Sequence, residues 1–513
     1  MTIGPRALLG LLFLGPLLVS RPWLWAAVAV ITAAGLALLP ADARRLPPWP
    51  LFVAAGFGLA VGFPWAQDHQ RALELAALVP LALGAWVLGA GARFGVDFWR
   101  FLALAAAGTA VVALAQAAGG LAAAQEAVVS LPPSLREVGA ARLATGRAFG
   151  TLPIPGHFAA LQAMAAPFLV AWLVGERGFR RLAPASLLAL SLAGCLATRS
   201  LLGTGLWAVA VVLTLVARVS HPWALLAAFL GLCALALVLF TRQDLGRLEP
   251  VLLRSVNWRV ALWVFAQNPW LGVGLGGVGI AGLTSPWGVR NITPFAHNTP
   301  LQLLAELGVV GAPLVVVLWA SGFALAVRLF RTDRPAGVAL LVPLAHNLFD
   351  FSLYEPAILL PFCLLAGSHS SGTKPAGRLA FPAWLLLLAG SAVIYGLAAR
   401  AQALAERAWG LAPRQRVEIL LEASSLAPWR LAEPLEAAWA AVEAGDPRVV
   451  RQAEAVLDSR AWVAPRSASW AQAKAMLLFR QGRRAEGCAW AEEAARRAPF
   501  REDLKELARG CPP

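Results

Sequence analysis

Phe295-Ala-His-Asn-Thr-Pro-Leu-Gln-Leu-Leu-Ala-Glu-Leu-Gly-Val-Val-Gly311 is where a long polar loop meets a hydrophobic helix. Thr299-Pro300-Leu301-Gln302 reads as the helix start, with Thr at the N-cap, Pro in the first helical position and Gln closing a capping box. Apolar residues then continue to about 327, long enough to cross a bilayer. His297 lies two residues ahead of the cap, beside free backbone N–H groups and the positive end of the helix dipole. A positive end disfavours imidazolium, so His297 is expected to be neutral and able to accept a proton. The same N–H groups offer phosphate a place to dock. Glu306 lies about two turns into this otherwise apolar helix.

The whole chain has the same character. It has 513 residues, 59% hydrophobic and 14% charged, and a mean hydropathy of +0.67. That is too apolar for a soluble domain and predicts an all-α, polytopic membrane helix bundle. About 13 spans, or 12, are expected, near 7–20, 22–40, 49–66, 72–91, 98–122, 157–175, 182–197, 200–217, 222–240, 301–327, 337–353, 356–368 and 379–398. Arg44/Arg45, Arg93/Arg100, Arg177/Arg180/Arg181, Arg218, Arg328/Arg331/Arg334 and Lys374/Arg378 mostly fall on alternate loops. By the positive-inside rule those loops and the N-terminus are cytoplasmic, which leaves the C-terminus and the long loops 123–156 and 241–298 outside.

The net charge is +15. Residues 1–398 hold 25 Lys and Arg against 13 Asp and Glu, and residues 399–513 hold 18 against 15. The excess therefore belongs to the membrane part, scattered among apolar spans with no basic stripe, which argues against a nucleic-acid partner. Residues 399–513 read as a separate small helical domain with Ala-rich faces and breaks at Pro428, Gly445-Asp-Pro447 and Gly482. The run Trp470 to Pro499 is similar to a degenerate tetratricopeptide unit, a type of repeat that binds protein partners. Cys195, Cys233 and Cys363 lie in apolar spans as packing residues. Cys488 and Cys511 can bridge only if the tail lies outside the cytoplasm. No cysteine spacing suggests a metal. Gly272-Val-Gly-Leu-Gly-Gly277 has no flanking strand and helix, so it reads as a tight turn against the membrane rather than a nucleotide loop.

His297-Asn298-x-x-Leu-Gln302-x-Leu-Ala-Glu306-Leu-Gly-x-x-Gly311 resembles the signature of the O-antigen ligase/polymerase family, bacterial multi-pass glycosyltransferases that use polyprenyl-diphosphate-linked glycans. Three further segments resemble the family in the expected order: Arg147-Ala-Phe-Gly-Thr-Leu-Pro-Ile-Pro-Gly156, with Gly156 where the family usually has Asn; Thr198-Arg199-Ser200-Leu-Leu-Gly203; and Arg259-Val-Ala-Leu-Trp263 followed by Asn268-Pro and Gly272-Val-Gly-Leu-Gly276. The resemblance implies that Arg199 and Arg259, with Arg147, hold the donor diphosphate and that His297 is the base. It also implies Asn298, Gln302, Glu306, Trp263, His346 and Asp350 as supporting residues.

Physical chemistry supports that assignment. Guanidinium forks bind phosphate oxygens in bidentate fashion, and a neutral imidazole suits an attacking hydroxyl. The diphosphate brings its own activation, so no metal or cofactor is expected, and direct displacement inverts the anomeric centre. Each residue also has a plainer reading. Arg199 would cap a hairpin, and Arg147, Arg142 and Arg254 would be solvated loop charges. Glu306 would be a satisfied buried group, and His346 with Asp350, spaced i,i+4, a packing pair. His157 reads as an interfacial residue, and His69, His221 and His369, in short loops, as incidental. Trp270 and Trp287 are placed to stack on sugar rings.

The expected activity is transfer of a glycan from undecaprenyl diphosphate to an acceptor hydroxyl at the periplasmic face of the inner membrane, as a ligase acting on lipid A-core or another glycan acceptor. A polymerase of the same family is the alternative. A lipid-linked glycan flippase or transporter is the rival class. It would need ionisable groups along the depth of the bundle, whereas the candidates here cluster at span ends. Membrane lipid, and a protein partner for the tail, complete the expected partners.

Overall fold

A computed structural model of the chain describes residues 22–39, 49–92, 94–128, 133–216, 249–288, 293–370 and 380–511. Among these residues all regular structure is helical. The membrane part comprises α1 (Pro22–Leu38), α2 (Trp49–Gly62), α3 (His69–Ala92), α4 (Val96–Ala115), α5 (Leu121–Val128), α6 (Pro133–Ala144), α7 (Pro155–Gly175), α8 (Leu182–Ala197), α9 (Leu201–Leu215), α10 (Glu249–Gln267), α11 (Val278–Gly282), α12 (Thr299–Thr332), α13 (Arg334–His346), α14 (Pro356–Ser368) and the start of α15 (Ala380–Ala408). Among the described residues six helical segments are long and apolar enough to cross a membrane: His69–Ala92, Val96–Glu126, Pro155–Gly175, Gly178–Ala197, Thr299–Thr332 and Phe381–Ala408. The architecture is compatible with a multi-pass membrane protein.

The expected spans at 7–20 and 222–240 lie outside the described residues. The stretch 356–368, expected as a span, forms the helix Pro356–Ser368, whose 13 residues leave it outside those six. The span at 337–353 is shorter than expected, because the helix ends at His346 and the chain turns through 347–353. The loops 123–156 and 241–298 carry helices of their own, α6 in the first, α10 and α11 in the second.

Close packing within the bundle relies on small residues. A Cβ on Gly89 of α3 would stand 2.1 Å from the Leu364 carbonyl oxygen of α14, and one on Gly367 would stand 2.0 Å from the Trp86 carbonyl oxygen. The two helices therefore touch backbone to backbone. Further along, α2, α3, α12, α13 and α14 surround an apolar cavity of about 670 Å³ that includes Leu303, Leu318, Leu344 and Phe362. Thr299 and Tyr354 close one end of it, and Arg328 and Ser370 lie at the other.

α12 is broken at Gly308, whose φ of 64° and ψ of −165° are open only to glycine. The preceding loop hydrogen-bonds into the break. Val309 N donates to Pro269 O at 2.7 Å, Gly274 N to Glu306 O at 2.9 Å and Val273 N to Ala305 O at 3.2 Å. Gly272 has φ 65°, and a Cβ there would stand 2.3 Å from the Glu306 carbonyl. The Gly-rich stretch is thus a ribbon pressed against the opened helix: a tight turn, as the sequence suggested, but packed on α12 rather than on the membrane surface.

Beyond the bundle the chain forms α16 (Pro413–Leu426), α17 (Ala432–Ala444), α18 (Pro447–Ser459), α19 (Ala468–Arg480), α20 (Arg484–Arg497) and α21 (Glu502–Arg509). Proline opens α16 and α18, and Gly445, at φ 69°, closes α17 in the left-handed conformation. Trp470 packs edge-on against Trp490 at 5.0 Å, and Lys474 is buried between Glu454 and Asp458. Cys488 and Cys511 form a disulfide. This tail rests on one end of the helix bundle. His69 N donates to Val463 O at 2.8 Å, Gln70 Oε1 accepts from Leu431 N at 3.0 Å, and Ile280 and Leu283, in and just after α11, pack against the tail core.

Candidate functional site

The segment before α12 is held at each residue. Asn298 is the N-cap: its Oδ1 accepts from Leu301 N at 2.9 Å, and its Nδ2 donates to Leu348 O at 2.8 Å. The sequence reading placed the cap one residue later. Thr299 instead bonds through its hydroxyl to Asn347 Oδ1 at 2.8 Å. Gln302 reaches further back than a capping box: Oε1 accepts from Ala296 N at 2.7 Å, and Nε2 donates to Pro294 O at 3.1 Å and to Glu306 Oε1 at 2.7 Å. Glu306 is fully buried. Gln302 and Glu306 therefore fasten the chain that presents His297, and the Trp258 indole donates to the His297 carbonyl oxygen at 3.1 Å. The result is a histidine at φ 53°, a conformation disfavoured for any side chain with a Cβ.

The side chain meets Asp350, which is 1% exposed. His297 Nδ1 lies 3.1 Å from Asp350 Oδ1. The carboxylate accepts the Nδ1 proton, which leaves Nε2 as the lone-pair nitrogen. His297 is 21% exposed, so that nitrogen is reachable. Arg254 Nη2 lies 3.0 Å from Oδ2, and Phe351 N donates to Oδ1 at 3.0 Å. His157 Nε2 is 3.6 Å from Oδ1, and His346 Nε2 is 3.9 Å from Oδ2. His346 Nδ1 bonds Ser352 at 2.9 Å. Phe351 stands edge-on between His297 and His157, with centroids at 4.8 and 4.7 Å. A Cβ on Gly156 would stand 3.1 Å from Asp350 Oδ2. Glycine at 156 therefore lets Asp350 sit against the N-terminal turn of α7, where the helix dipole favours a carboxylate. Among the described residues no set of His, Cys, Asp and Glu is placed to hold a metal ion.

Two further arginines flank this centre. Arg147 Nε donates to Thr198 O at 3.0 Å, tying the segment before α7 to the α8–α9 turn. Arg199 occupies that turn at φ 50°, just ahead of the α9 N-cap Ser200. A Cβ on Gly146 would stand 3.3 Å from Arg199 Nη1, so the guanidinium lies over Gly146. Burial, then the charges of Arg254 and Arg199, lower the Arg147 guanidinium below its ordinary value, while Asp350 opposes them. Arg147, Arg199 and Arg254 thus form one cationic group beside the His297–Asp350 pair. Neither Arg147 nor Arg199 has an ion-pair partner among the described residues.

Of the sequence-predicted residues, the structure brings together His297, Asn298, Gln302, Glu306, Arg147, Arg199, His346 and Asp350. It does not bring Arg259 in. That side chain is exposed. On a helix it lies about 140° around α10 from Arg254. Trp263 is a packing residue, set against the cluster of Val260, Val264 and Ala296. The residue missed is Arg254. Its signal was present: Arg254-Ser-Val-Asn-Trp258 has the same Arg-x-x-x-Trp spacing as Arg259-Val-Ala-Leu-Trp263, five residues earlier, and it is Arg254 and Trp258 that face the site. His157, read as interfacial, faces Asp350.

No protein-family model, no curated protein and no solved structure matches this chain.

Proposed function

We propose that the protein transfers a glycan from a polyprenyl diphosphate to an acceptor hydroxyl, in the manner of an O-antigen ligase. The observation that carries this reading is a reachable imidazole braced by a buried carboxylate, 3.1 Å away, beside three gathered guanidiniums at the end of a helix bundle. Asp350 holds the Nδ1–H, and Nε2 takes the proton of the attacking hydroxyl. The hydroxyl oxygen forms the new bond to the anomeric carbon. The bond from that carbon to the diphosphate oxygen breaks, and its electron pair leaves on the diphosphate. Arg147, Arg199 and Arg254 take up that negative charge in fork-like pairs. Attack opposite the leaving group inverts the anomeric centre, and the imidazolium is stabilised by Asp350 until it loses its proton. The apolar cavity, which reaches Thr299, offers a lipid chain a seat.

The site and the tail lie at the same end of the bundle, as the contacts of Val463 with His69, Val273 with Gln67 and Gly274 with Glu306 require. A disulfide in the tail belongs to an oxidising compartment. Together with the arginine-rich loops of the other end, this supports a periplasmic site and tail and a cytoplasmic N-terminus in a bacterial inner membrane. After reduction in intact cells, an impermeant maleimide should label Cys488 and Cys511. Labelling only after lysis would reverse the orientation.

The deciding experiment is reconstitution with purified lipid-diphosphate glycan and either lipid A-core or a second lipid-linked repeat unit as acceptor. His297→Ala is expected to lower the rate by about 10²–10⁴-fold. Transfer to lipid A-core makes the enzyme a ligase, and transfer to the second repeat unit makes it a polymerase. The transporter reading has one observation in its favour, the cavity that runs from Thr299 to Arg328. Its lining holds a single formal charge, Arg328. Glycan crossing the bilayer without transfer would establish that reading instead.

A further inference from the structure

Arg254 has two claims on it. One is the Asp350 carboxylate at 3.0 Å. The other is the cationic site it shares with Arg147, whose charge and that of Arg254 repel each other and which Arg199 flanks on its far side. We propose that Arg254 changes partner: it neutralises Asp350 in the free protein and moves to the donor diphosphate when donor enters, which leaves Asp350 to His297. This rests on the diphosphate-donor reading above and concerns how that site is armed.

The geometry permits the exchange at low cost. Asp350 does not depend on Arg254 to stay buried. Its Oδ1 keeps His297 Nδ1 at 3.1 Å and Phe351 N at 3.0 Å. The α7 N-terminal turn at Gly156 lies against Oδ2, and the imidazoles of His157 and His346 stand at 3.6 and 3.9 Å. Arg254 is itself 20% exposed, and its Nε is buried without a hydrogen-bond partner, so only one edge of the guanidinium is committed. A diphosphate bridging the three guanidiniums offers several oxygens where Asp350 offers one. Once Arg254 has turned, the Asp350 charge is no longer shared with a guanidinium. It then acts more fully on the imidazolium that forms when His297 takes the acceptor proton. The base is at full strength only when there is a donor to attack, and acceptor activation is linked to donor occupancy by a coupling free energy.

The test is a double-mutant cycle on binding, with farnesyl diphosphate as the short polyprenyl-diphosphate probe and the full-length protein in nanodiscs. If Asp350 competes for Arg254, Asp350→Asn releases the arginine and tightens binding, by about tenfold for one charge-assisted hydrogen bond. In an Arg254→Gln background the same change should move the affinity by no more than about twofold. Equal tightening in both backgrounds means that only negative charge was removed, and overturns the exchange while leaving the donor reading intact. Weaker or unchanged binding in Asp350→Asn overturns it too. Failure of the wild-type protein to bind the probe overturns the donor reading and the exchange together. Should a variant not survive purification, a structure of the wild-type complex decides: Arg254 beyond 4 Å from Asp350 is the expected result, and a retained ion pair refutes it.

Discussion

At the scale of single residues, Arg199 and His297 are the two non-glycine residues with φ in the left-handed region among the described residues. Each costs about 1 kcal/mol against glycine at the same place. Glycine or asparagine would suit both turns better, so these side chains are retained in spite of the backbone. Arg199→Gly is therefore expected to raise thermal stability by about 1 kcal/mol while weakening diphosphate binding, read by a melting curve and a titration on one sample. Asp350→Asn should leave the fold in place and lower kcat by about 10³–10⁴-fold, because the amide no longer selects the tautomer with Nε2 free. Among the arginines, Arg254→Ala should lower kcat/KM by about 10²-fold or more, and Arg259→Ala should change it by no more than about twofold, since it lies about 140° around α10 from Arg254. Exchanged effects for those two would restore the original assignment of Arg259. His297 was legible from its neighbours in the chain, because a histidine before a capped apolar helix has few packing roles. Arg254 was not, because two Arg-x-x-x-Trp repeats follow one another and only the phase of α10 against α12 selects between them.

At the scale of elements, the opened turn of α12 is what places the site. Gly308 breaks the helix, and the ribbon from Pro269 to Gly274 fills its unpaired donors and carbonyls. Glu306 and Gln302 sit on the first two turns and hold Pro294 to Ala296. A Cβ at Gly308 would lie 2.2 Å from the Trp270 carbonyl oxygen, with φ and ψ that alanine tolerates poorly. Gly308→Ala is expected to cost about 2–3 kcal/mol and to loosen the ribbon. Faster limited proteolysis between 269 and 276, together with a fall in transfer rate, would show it. Apolar content at 301–327 made the helix legible. The break was hidden, because a glycine inside an apolar run reads equally well as a close packing contact.

At the scale of the whole molecule, the tail is seated on the loops that carry α3 and α11. Reduction of the Cys488–Cys511 bridge, which closes 23 residues, removes a constraint worth about 3 kcal/mol. Faster hydrogen exchange confined to α21 is the expected result. In the tail core, burial raises the Glu454 carboxyl, but hydrogen bonds from Gln481 and Lys474 outweigh it and hold the group below its ordinary value. Its contribution is therefore present above about pH 4.5 and is lost as the pH falls through the lowered value. Protection of α18 and α19 against exchange should drop over that acid range in the wild type and stay flat in Glu454→Gln.

Hydropathy, helix-start residues and the His-Asn segment are local properties of the chain, so the sequence by itself determined the all-helical class, the long apolar helices and the place of His297 just ahead of one of them. Which side chains share the site with His297 was decided by tertiary structure. The phase of one helix against another depends on contacts such as Phe351 against His157 and Val273 against Ala305, between residues far apart in the chain. Those contacts set Arg254 and Asp350 beside His297 and leave Arg259 outside, and no periodicity within a single segment contains that information.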